Sequence, residues 1–388
     1  MAPAAGTHFF AVDDGGVLFC EPVQRFYVLN ATAALCWLAM SEGLPESAII
    51  DELVAAGAPS GEARSWWEQS RALFAAEGIL AGAAAPAPDS PAADQTGIVE
   101  GQRLERIPPC VAHRFYRLFD TRFRVGFTGE APLPAVAGMF ARLGDPGDHP
   151  ADVEITVIGV GERYLIARGM SVVGVSPDLA GVMARLETTL VLTAIDATPH
   201  LLSLHSGVLA RGACGLMLPA PSGNGKTTLT AALNHRGWDF GTDEITLLSG
   251  DARALRVAPL SACIKEGSWP VLAGRYPSLA EQPVHERAGR RIRYLPPVGR
   301  AIERCLATHV VFPRYADDAH PVTAVTPLSR SAGLLRLFAE CVSVPRRLGA
   351  EEAGHVVEWA RALQFFDLTF ADLSAALASL DALAGGAP

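Results

Sequence analysis

Lysine is almost missing from this chain. Of the 32 lysine and arginine residues, only Lys226 and Lys265 are lysines. A compact ammonium and a planar guanidinium are not interchangeable in the contacts they make. In a sequence so biased towards arginine, a retained lysine indicates a position where an ammonium group is needed.

Several other absences exclude whole classes of protein. No apolar run approaches the roughly 20 residues that span a membrane, and the first residues lack the basic and apolar regions of a signal peptide. The seven cysteines are scattered without a C-x-x-C pair, which disfavours a disulfide framework or a zinc site. The net charge is −9 with no polybasic block, which disfavours nucleic-acid binding. These features predict a cytoplasmic protein that binds neither membrane nor nucleic acid.

The composition favours a large core and more than one domain. Hydrophobic residues make up 49% of the 388 residues, and a chain of this length suffices for two or three domains. Small residues and prolines dominate 81–97, which predicts a flexible linker because such residues cannot build a core. The predicted divisions are a small module (1–80), the linker (81–97), an α/β lead-in subdomain (98–198), a larger α/β domain (199–345) and C-terminal helices (346–388).

The N-terminal module combines short strands with three helices. A turn signal at 13–16 separates two strands, and Asn30 or Thr32 is suited to cap a helix that Gly43 ends. Further helices are predicted over 47–55 and 62–77. Strands followed by three helices in so short a segment predict a winged-helix-like α+β module.

A glycine loop between a strand and a helix is the strongest signal in the chain. Leu216, Met217 and Leu218 form the apolar strand, and Gly223 and Gly225 allow backbone angles that a Cβ would forbid. In a P-loop of this layout, backbone N–H groups wrap a phosphate, the lysine reaches the outer phosphates and the next hydroxyl holds Mg²⁺. The usual pattern is G-x-x-x-x-G-K-[ST], and Ala220 replaces its first glycine here. The predicted nucleotide-binding residues are Ser222, Gly223, Asn224, Gly225, Lys226, Thr227 and Thr228.

The region around this loop resembles the HPr kinase-like branch of P-loop proteins, which is related to phosphoenolpyruvate carboxykinases. The resemblance rests on the Leu204-His205-Ser206-Gly207-Val208 segment, the loop itself and the paired acids Asp243-Glu244. It implies an α/β nucleotide domain that uses ATP (or another NTP) and Mg²⁺. The family usually has an Asp-Asp pair, and no counterpart of its C-terminal phosphorylase motif is present, so HPr itself is a doubtful substrate.

The resemblance also implies roles for individual residues. Asp243 would be the catalytic base, and Lys226 would neutralise phosphate charge. Thr227 and Glu244 would bind Mg²⁺, although the sequence leaves open which of the two acids is the base and which is the metal ligand. His205 would lie beside the acids and orient Asp243 or tune its pKa, and a structural histidine is the alternative. The 264–268 and 311–315 segments resemble HPr-kinase-related proteins of peptide-modification pathways. Candidates for contacting phosphate or acceptor, each of which could instead be a plain surface charge, are Lys265, Arg293 and Arg314.

Trp238 to Leu248 is predicted as one strand that carries both acids. Adjacent strand residues point to opposite faces. A strand end or a bulge must therefore bring both acids into the site if both act. The C-terminal helices are predicted over 329–340, 354–364 and 372–383.

The N-terminal module resembles the PqqD-like peptide chaperones, which are recognition elements for ribosomally made and post-translationally modified peptides (RiPPs). The resemblance rests on Val17-Leu18-Phe19, the 27–33 segment, Cys36-Trp37-Leu38 and Ile49-x-x-x-Leu53. It implies that a leader peptide adds as a strand at the sheet edge and packs against the third helix. A generic winged helix with core aromatics is the alternative. The predicted leader contacts are Phe26, Tyr27, Val28, Leu29, Trp66, Trp67 and Phe74.

Together the two resemblances predict an ATP-dependent kinase fused to its own leader-binding module. The acceptor would be a Ser or Thr hydroxyl of a precursor peptide, with leader and core, in RiPP or lasso-peptide-type tailoring. Leader capture would raise the effective concentration of the core at the kinase site. A nucleotide-gated chaperone or scaffold without phosphoryl transfer, and a small-molecule kinase, are the alternatives. HPr kinases are oligomers, so the resemblance leaves a homo-oligomer open.

Overall fold

The computed structural model describes residues 3–13, 15–81, 100–145, 150–287, 289–316, 323–343 and 347–385. The chain divides into two compact units, the first made of Met1–Ala93 with Pro327–Phe365 and the second of Asp94–Thr326 with Phe366–Pro388. Residues 327–345 therefore group with the N-terminal module, whereas the sequence suggested a nucleotide domain continuous to 345. All of the predicted linker except Ala81 lies outside the described residues.

The described strands and helices follow in chain order. The strands are β1 (Thr7–Val12), β2 (Gly15–Cys20), β3 (Arg25–Leu29), β4 (Ala112–Leu118), β5 (Thr121–Phe127), β6 (Val153–Val160), β7 (Arg163–Arg168), β8 (Ser171–Ser176), β9 (His200–Arg211), β10 (Cys214–Pro219), β11 (Asp239–Thr242), β12 (Ile245–Ser249), β13 (Leu255–Val257), β14 (Ala262–Lys265), β15 (His285–Arg287), β16 (Arg290–Leu295), β17 (Arg304–Cys305), β18 (His309–Tyr315), β19 (Ala324–Pro327), β20 (Cys341–Ser343) and β21 (Gln364–Phe370). The helices are α1 (Ala31–Ser41), α2 (Glu46–Ala55), α3 (Ala63–Ala76), α4 (Leu133–Met139), α5 (Leu179–Ala197), α6 (Lys226–His235), α7 (Trp269–Ala273), α8 (Arg330–Ala339), α9 (Ala350–Arg361) and α10 (Leu373–Gly385).

The first unit is built on the antiparallel sheet β1-β2-β3. Helices α1–α3 pack on one face of this sheet around Leu18, Trp37 and Phe74. Helices α8 and α9 pack on the sheet as well, and Phe26 of β3 stacks on Phe338 of α8. Every residue of β2 is buried, as expected for a central strand covered on both faces.

Four anchors hold the α8–α9 segment to this sheet. Arg330 pairs with Asp13 at 2.5 Å, and Arg361 donates to the carbonyl of Ala11. The Gln24 side chain donates to the Leu348 carbonyl at 3.1 Å and accepts from its N–H at 2.6 Å. The stacked pair Phe26–Phe338 is the fourth.

The predicted helix start in this unit is confirmed. The Asn30 side chain accepts a hydrogen bond from the Ala33 N–H at 2.9 Å and caps α1. Gly43, with φ +79°, follows the end of the helix.

The second unit holds a five-stranded sheet in the order β4-β5-β6-β7-β8 and a larger mixed sheet. In the larger sheet the strands follow the order β17-β13-β12-β9-β10-β18-β21-β19, and β11 also pairs with β9. Strand β10 runs parallel to β18 and antiparallel to β9. Helices α6 and α10 share a core with β10, which fixes the loop that follows this strand.

Two sequence-based assignments need correction. The strand predicted over 238–248 is broken into β11 and β12, which pair with different parts of β9. Asp243 and Glu244 occupy the break, because the pairing moves from Thr242↔Val208 to Ile245↔His205. The helix predicted to end at Gln364 ends at Arg361, and residues 364–370 form β21 instead.

In the part of the chain that the structure describes, no helix combines the length and apolarity that a membrane span requires.

Candidate functional site

Residues 220–225, here called the glycine loop, connect the buried strand β10 to the N-terminus of α6. Gly223 and Gly225 have φ values of +102° and +83°, which side chains with a Cβ rarely adopt. A Cβ on Gly225 would lie 2.8 Å from the ring of Phe370. The loop therefore presents backbone N–H groups and the positive end of the helix dipole to one side, an arrangement that favours anions.

Lys226, at the first position of α6, is 6% exposed and makes two hydrogen bonds through Nζ. It donates to His205 Nε2 at 2.7 Å and to the Asp243 carbonyl at 2.9 Å. An ammonium has no acceptor, so His205 Nε2 is unprotonated and Nδ1 carries the proton of the neutral ring. Burial and the Lys226 charge lower the pKa of His205, which is consistent with this neutral form.

Asp243 and Glu244 differ in exposure and in electrostatics. Asp243 is 3% exposed, and its burial raises its pKa to about 6 against the opposing effect of Lys226. Among the described residues its Oδ1 atom is buried without a hydrogen-bond partner. The Glu244 side chain is 34% exposed, and its Oε2 lies 3.8 Å from His205 Nε2.

A buried ion pair extends from Glu244 into the core. Arg287 Nη1 lies 2.9 Å from Glu187 Oε2 and 4.0 Å from Glu244 Oε1. Glu187 is 5% exposed, and this burial raises its pKa to about 7 although Arg287 acts to lower it. Arg287 thus lies between one buried and one accessible carboxyl group.

A cavity of about 850 Å³ opens beside the glycine loop. Its volume falls within the roughly 300–1,000 Å³ of small-ligand sites. Both lysines of the chain line it, and Lys265 donates to Ser222 Oγ at 2.7 Å. The charged side chains in its wall are those of Lys226, Lys265, Arg275, Arg287, Arg290, Glu244 and Asp372.

The oxygen atoms around this cavity suit Mg²⁺ held mainly by phosphate and water. Mg²⁺ commonly takes one or two protein oxygens beside substrate phosphates. Thr227 and Glu244 line the cavity, whereas Asp243, whose Oδ1 is buried without a hydrogen-bond partner among the described residues, does not belong to its lining. Residues 3–385, within the ranges described above, contain no cluster of three or more His, Cys, Asp or Glu that would form a metal cage.

The first unit carries a second candidate site at its sheet edge. A groove of about 650 Å³ follows the outer edge of β3. Strand β3 pairs with β2 on one side, and no described strand pairs with its other side. The groove is lined by Val23, Gln24, Arg25, Phe26, Tyr27, Val28, Leu29, Leu73, Phe74, Glu77, Ile79, Leu335, Phe338 and Ala339.

Comparisons with known proteins give partial matches only. No protein-family model matches the chain, and no curated protein matches its sequence. A structure of TbiB1 in complex with the TbiA(beta) leader peptide is 20% identical and covers 22% of this chain and 99% of its own, with a TM-score of 0.20. The HPr(Ser) kinase/phosphatase from Coxiella burnetii is 10% identical and covers 47% of this chain and 94% of its own, with a TM-score of 0.24. These likenesses are too low to carry an argument about this chain.

The structure gathers most of the predicted site residues. His205, Lys265, Glu244 and most of the glycine loop line the larger cavity. Arg293 lies outside that lining, where its guanidinium stacks 4.2 Å from the ring centre of Trp269, and Arg314 donates to Thr369 at 2.9 Å. Of the predicted leader contacts, 26–29 and Phe74 line the groove. Trp66 and Trp67 do not line it, and Trp67 is 3% exposed in the core.

Sequence reasoning missed several cavity residues. Three of them, Arg275, Arg287 and Arg290, come from separate elements or turns. A fourth, Asp372, caps the N-terminus of α10, where its side chain accepts a hydrogen bond from the Ala375 N–H at 2.6 Å. Glu187, which pairs with the cavity residue Arg287 but does not itself line the cavity, lies on α5, far from any motif. The arginine-rich segment 290–293 gave a local signal for this wall, but Arg290 lines the cavity and Arg293, the predicted candidate, does not.

Proposed function

We propose that this protein is an ATP-dependent kinase that phosphorylates a Ser or Thr hydroxyl of a precursor peptide whose leader it binds. One observation carries the kinase part. The glycine loop, Lys226 and Glu244 line one cavity, and the buried Asp243 lies beside them, in the same strand break as Glu244 and with its carbonyl 2.9 Å from Lys226 Nζ. Phosphoryl transfer needs positioning and charge neutralisation of this kind more than covalent chemistry.

The residues divide the reaction between them. The acceptor oxygen forms a bond to the γ-phosphorus, the bond from that phosphorus to the β,γ-bridging oxygen breaks, and ADP leaves. Asp243 accepts the proton of the hydroxyl, and with its pKa at about 6 it is mostly ionised at neutral pH. Lys226 and the N–H groups of the glycine loop offset the phosphate charge. Mg²⁺ held by Thr227 and Glu244 would supply further charge neutralisation.

The neutral His205 holds Lys226 in place. Its Nε2 accepts from Lys226 Nζ and lies 3.8 Å from Glu244. Because the unprotonated Nε2 has no hydrogen to donate to the Glu244 carboxylate, this position favours a role in orienting the lysine alone. It supplements the predicted role beside Asp243, which stays a prediction.

The open edge of β3 supports the peptide-binding part. An extended peptide that pairs with this edge would gain main-chain hydrogen bonds, and side-chain pockets beside it would give specificity. Tyr27 on this edge donates to the Glu77 carbonyl at 3.3 Å, next to the exposed side chain of Leu73 on α3. Leader capture there would raise the local concentration of the core segment.

Intact mass spectrometry tests the proposal. Purified protein, Mg-ATP and the short peptide encoded beside its gene are incubated, with and without the leader half. The expected product carries one added phosphate and forms only with the leader present. Phosphate added without the leader would keep the kinase and reject leader capture.

A lysine variant separates the kinase from a scaffold. Lys226→Ala is expected to lower the phosphorylation rate at least ~100-fold, because it removes the ammonium aimed at the phosphates. Lys265→Ala, the other lysine of the chain, should cause a smaller loss. Full pathway function and peptide affinity in Lys226→Ala would instead favour a scaffold without phosphoryl transfer.

A further inference from the structure

The groove beside β3 has two apolar walls that come from distant parts of the chain. Leu73 and Phe74 of α3 line one side, and Leu335 and Phe338 of α8 are also in the lining. Leu73 is 50% exposed and Leu335 is 58% exposed, unusually high for leucines. The resemblance to PqqD-like proteins concerns only the β3 edge and the third helix, so it does not account for α8.

The side chains of β3 alternate between the two walls. Tyr27 faces the α3 side, where it packs with the core and bonds to Glu77. Phe26 faces the other side, where its ring centre lies 5.0 Å from that of Phe338 and 4.7 Å from that of Phe19. Successive residues of a strand point to opposite faces, so a strand added at this edge would continue the same alternation.

We infer that α8 forms a second wall of the leader-binding groove, and that it contacts the side chain of every other residue of the bound peptide. This inference rests on the proposed capture of a leader at β3. Peptide residues at one set of alternate positions would pack on Leu73 and Phe74. Those at the intervening positions would pack on Leu335 and Phe338, so the peptide has apolar side chains at positions of both sets.

The groove selects an extended peptide over a folded partner. Its floor is the outer edge of β3, which pairs with no other strand in the described part of the chain, and a peptide strand would satisfy its main-chain groups. Its sides are helices, so the edge strand of a folded second copy, flanked by its own α3 and α8, would collide with them. A single peptide strand carries no such flanks. The groove thus continues the surface proposed for the leader and does not form a separate site.

Contacts to the first unit anchor the chain on both sides of α8. The Arg330–Asp13 pair at 2.5 Å fixes the N-terminal end of α8, and the two Gln24–Leu348 hydrogen bonds fix the chain beyond it. Gln24 itself has a φ of +52°, which is uncommon outside glycine. Its side chain thus reaches Leu348 from the turn that leads into β3.

Fluorescence anisotropy of a labelled peptide, the leader half of the precursor encoded beside the gene, tests this wall on the full chain. Leu335→Asp and Leu73→Asp are each expected to weaken binding at least ~10-fold, because each puts a charge where an apolar side chain would pack. Leu192→Asp on α5 is the matched control, since Leu192 is 53% exposed and lines neither cavity. It should change the dissociation constant less than twofold.

The peptide side provides the sharper readout. Aspartate is placed at each leader position in turn, and coupling with each leucine variant is measured in a double-mutant cycle. Coupling to Leu335 at one set of alternate positions, and to Leu73 at the intervening set, is the expected result. Leu335→Gln serves as a milder variant if circular dichroism shows that Leu335→Asp is unfolded.

Each other outcome has a definite meaning. Weaker binding in Leu73→Asp with unchanged binding in both Leu335 variants would overturn the second wall and keep leader capture. No binding to the wild type would refute leader capture and the second wall with it. If light scattering showed a dimer that Leu335→Asp dissociates, with peptide affinity unchanged, a second copy would be the occupant and the inference would be wrong.

Discussion

Gly225 shows how strictly single residues are constrained at the glycine loop. Its φ of +83° and the 2.8 Å approach of Phe370 to a Cβ position exclude larger residues. Phe370 belongs to β21, so this strand of the central sheet sets the shape of the loop from behind. The role of glycine here combines backbone conformation with close packing.

We therefore expect Gly225→Ala to lower the free energy of unfolding by at least ~1 kcal/mol and to abolish detectable nucleotide binding. Denaturant unfolding and isothermal titration with Mg-ATP measure the two effects. Gly212→Ala is the control, because Gly212 also has a positive φ (+57°) but has no atom within 4 Å of a Cβ. Equal effects of the two variants on nucleotide binding would contradict the steric argument.

Glu187 makes stability depend on pH. Burial raises its pKa from the ordinary 4.5 to about 7, so the folded protein retains a proton that the unfolded chain releases. The stability from this group is fully present below pH 4.5 and is lost as the pH rises through 7. The charged neighbours that face it are Arg287, which lowers its pKa, and Glu244, which raises it.

Relative to Glu187→Gln, the wild type should thus lose on the order of 3 kcal/mol of unfolding free energy between pH 4.5 and pH 8. Urea titrations of both proteins across this range measure the difference. Glu162→Gln, which changes an exposed glutamate, should show the same pH dependence of the free energy of unfolding as the wild type. Parallel pH curves for the wild type and Glu187→Gln would show that Glu187 titrates normally.

Sequence reasoning at this scale found Lys226 and the acids but not Glu187 or Arg287. The first group belongs to a local pattern in which spacing along the chain has chemical meaning. Glu187 and Arg287 meet only because α5 packs against β15, and no local pattern records that contact.

Helix α6 carries the glycine loop at one end and a buried amide at the other. Asn234, which is 2% exposed, donates to the carbonyls of Trp238 and Val298, both at 2.9 Å, and accepts from the Val298 N–H at 2.8 Å. These bonds fasten the C-terminal end of the helix whose N-terminus faces the cavity.

Asn234→Ala is expected to cost about 2–4 kcal/mol of stability, since it leaves buried main-chain groups unpaired. Thermal and urea unfolding report this loss. Asn224→Ala should have an effect below about 1 kcal/mol, because the Asn224 side chain makes a single 3.3 Å bond to the Pro221 carbonyl. A neutral Asn234→Ala would mean that water replaces the lost amide.

Most helix and strand positions followed from periodicity and capping residues, as the start of α1 at Asn30 illustrates. The break between β11 and β12 was expected only on the condition that both acids act, because the local pattern alone predicted one strand over 238–248. Pairing with β9, which is far away in sequence, places the acids there.

On the scale of the molecule, each proposed ligand belongs to a different unit. The nucleotide cavity is formed within the second unit and the peptide groove within the first. The sequence indicated an N-terminal module but gave no sign that 327–365 completes it, since nothing local marks that segment as part of a distant unit.

Calorimetry should therefore resolve two unfolding transitions that respond to different ligands. Mg-ATP at 100 times its dissociation constant should stabilise the second unit by about 2.7 kcal/mol and so raise the temperature of one transition. The unlabelled leader peptide should raise the temperature of the other transition alone. A single transition that both ligands shift equally would mean that the two units unfold cooperatively.

The anchors between Gln24 and Leu348 have a consequence for how the protein is made. The second part of the first unit ends at residue 365, and 365 − 93 = 272 residues are synthesised between the end of the first part and the end of the second. At a synthesis rate of about 5–20 residues per second, roughly 14–54 s pass before α8 and α9 can pack on the nascent sheet. During that interval the sheet face that carries Phe19 and Phe26 is exposed on the nascent chain. Chaperones can therefore bind a surface that is buried in the complete protein.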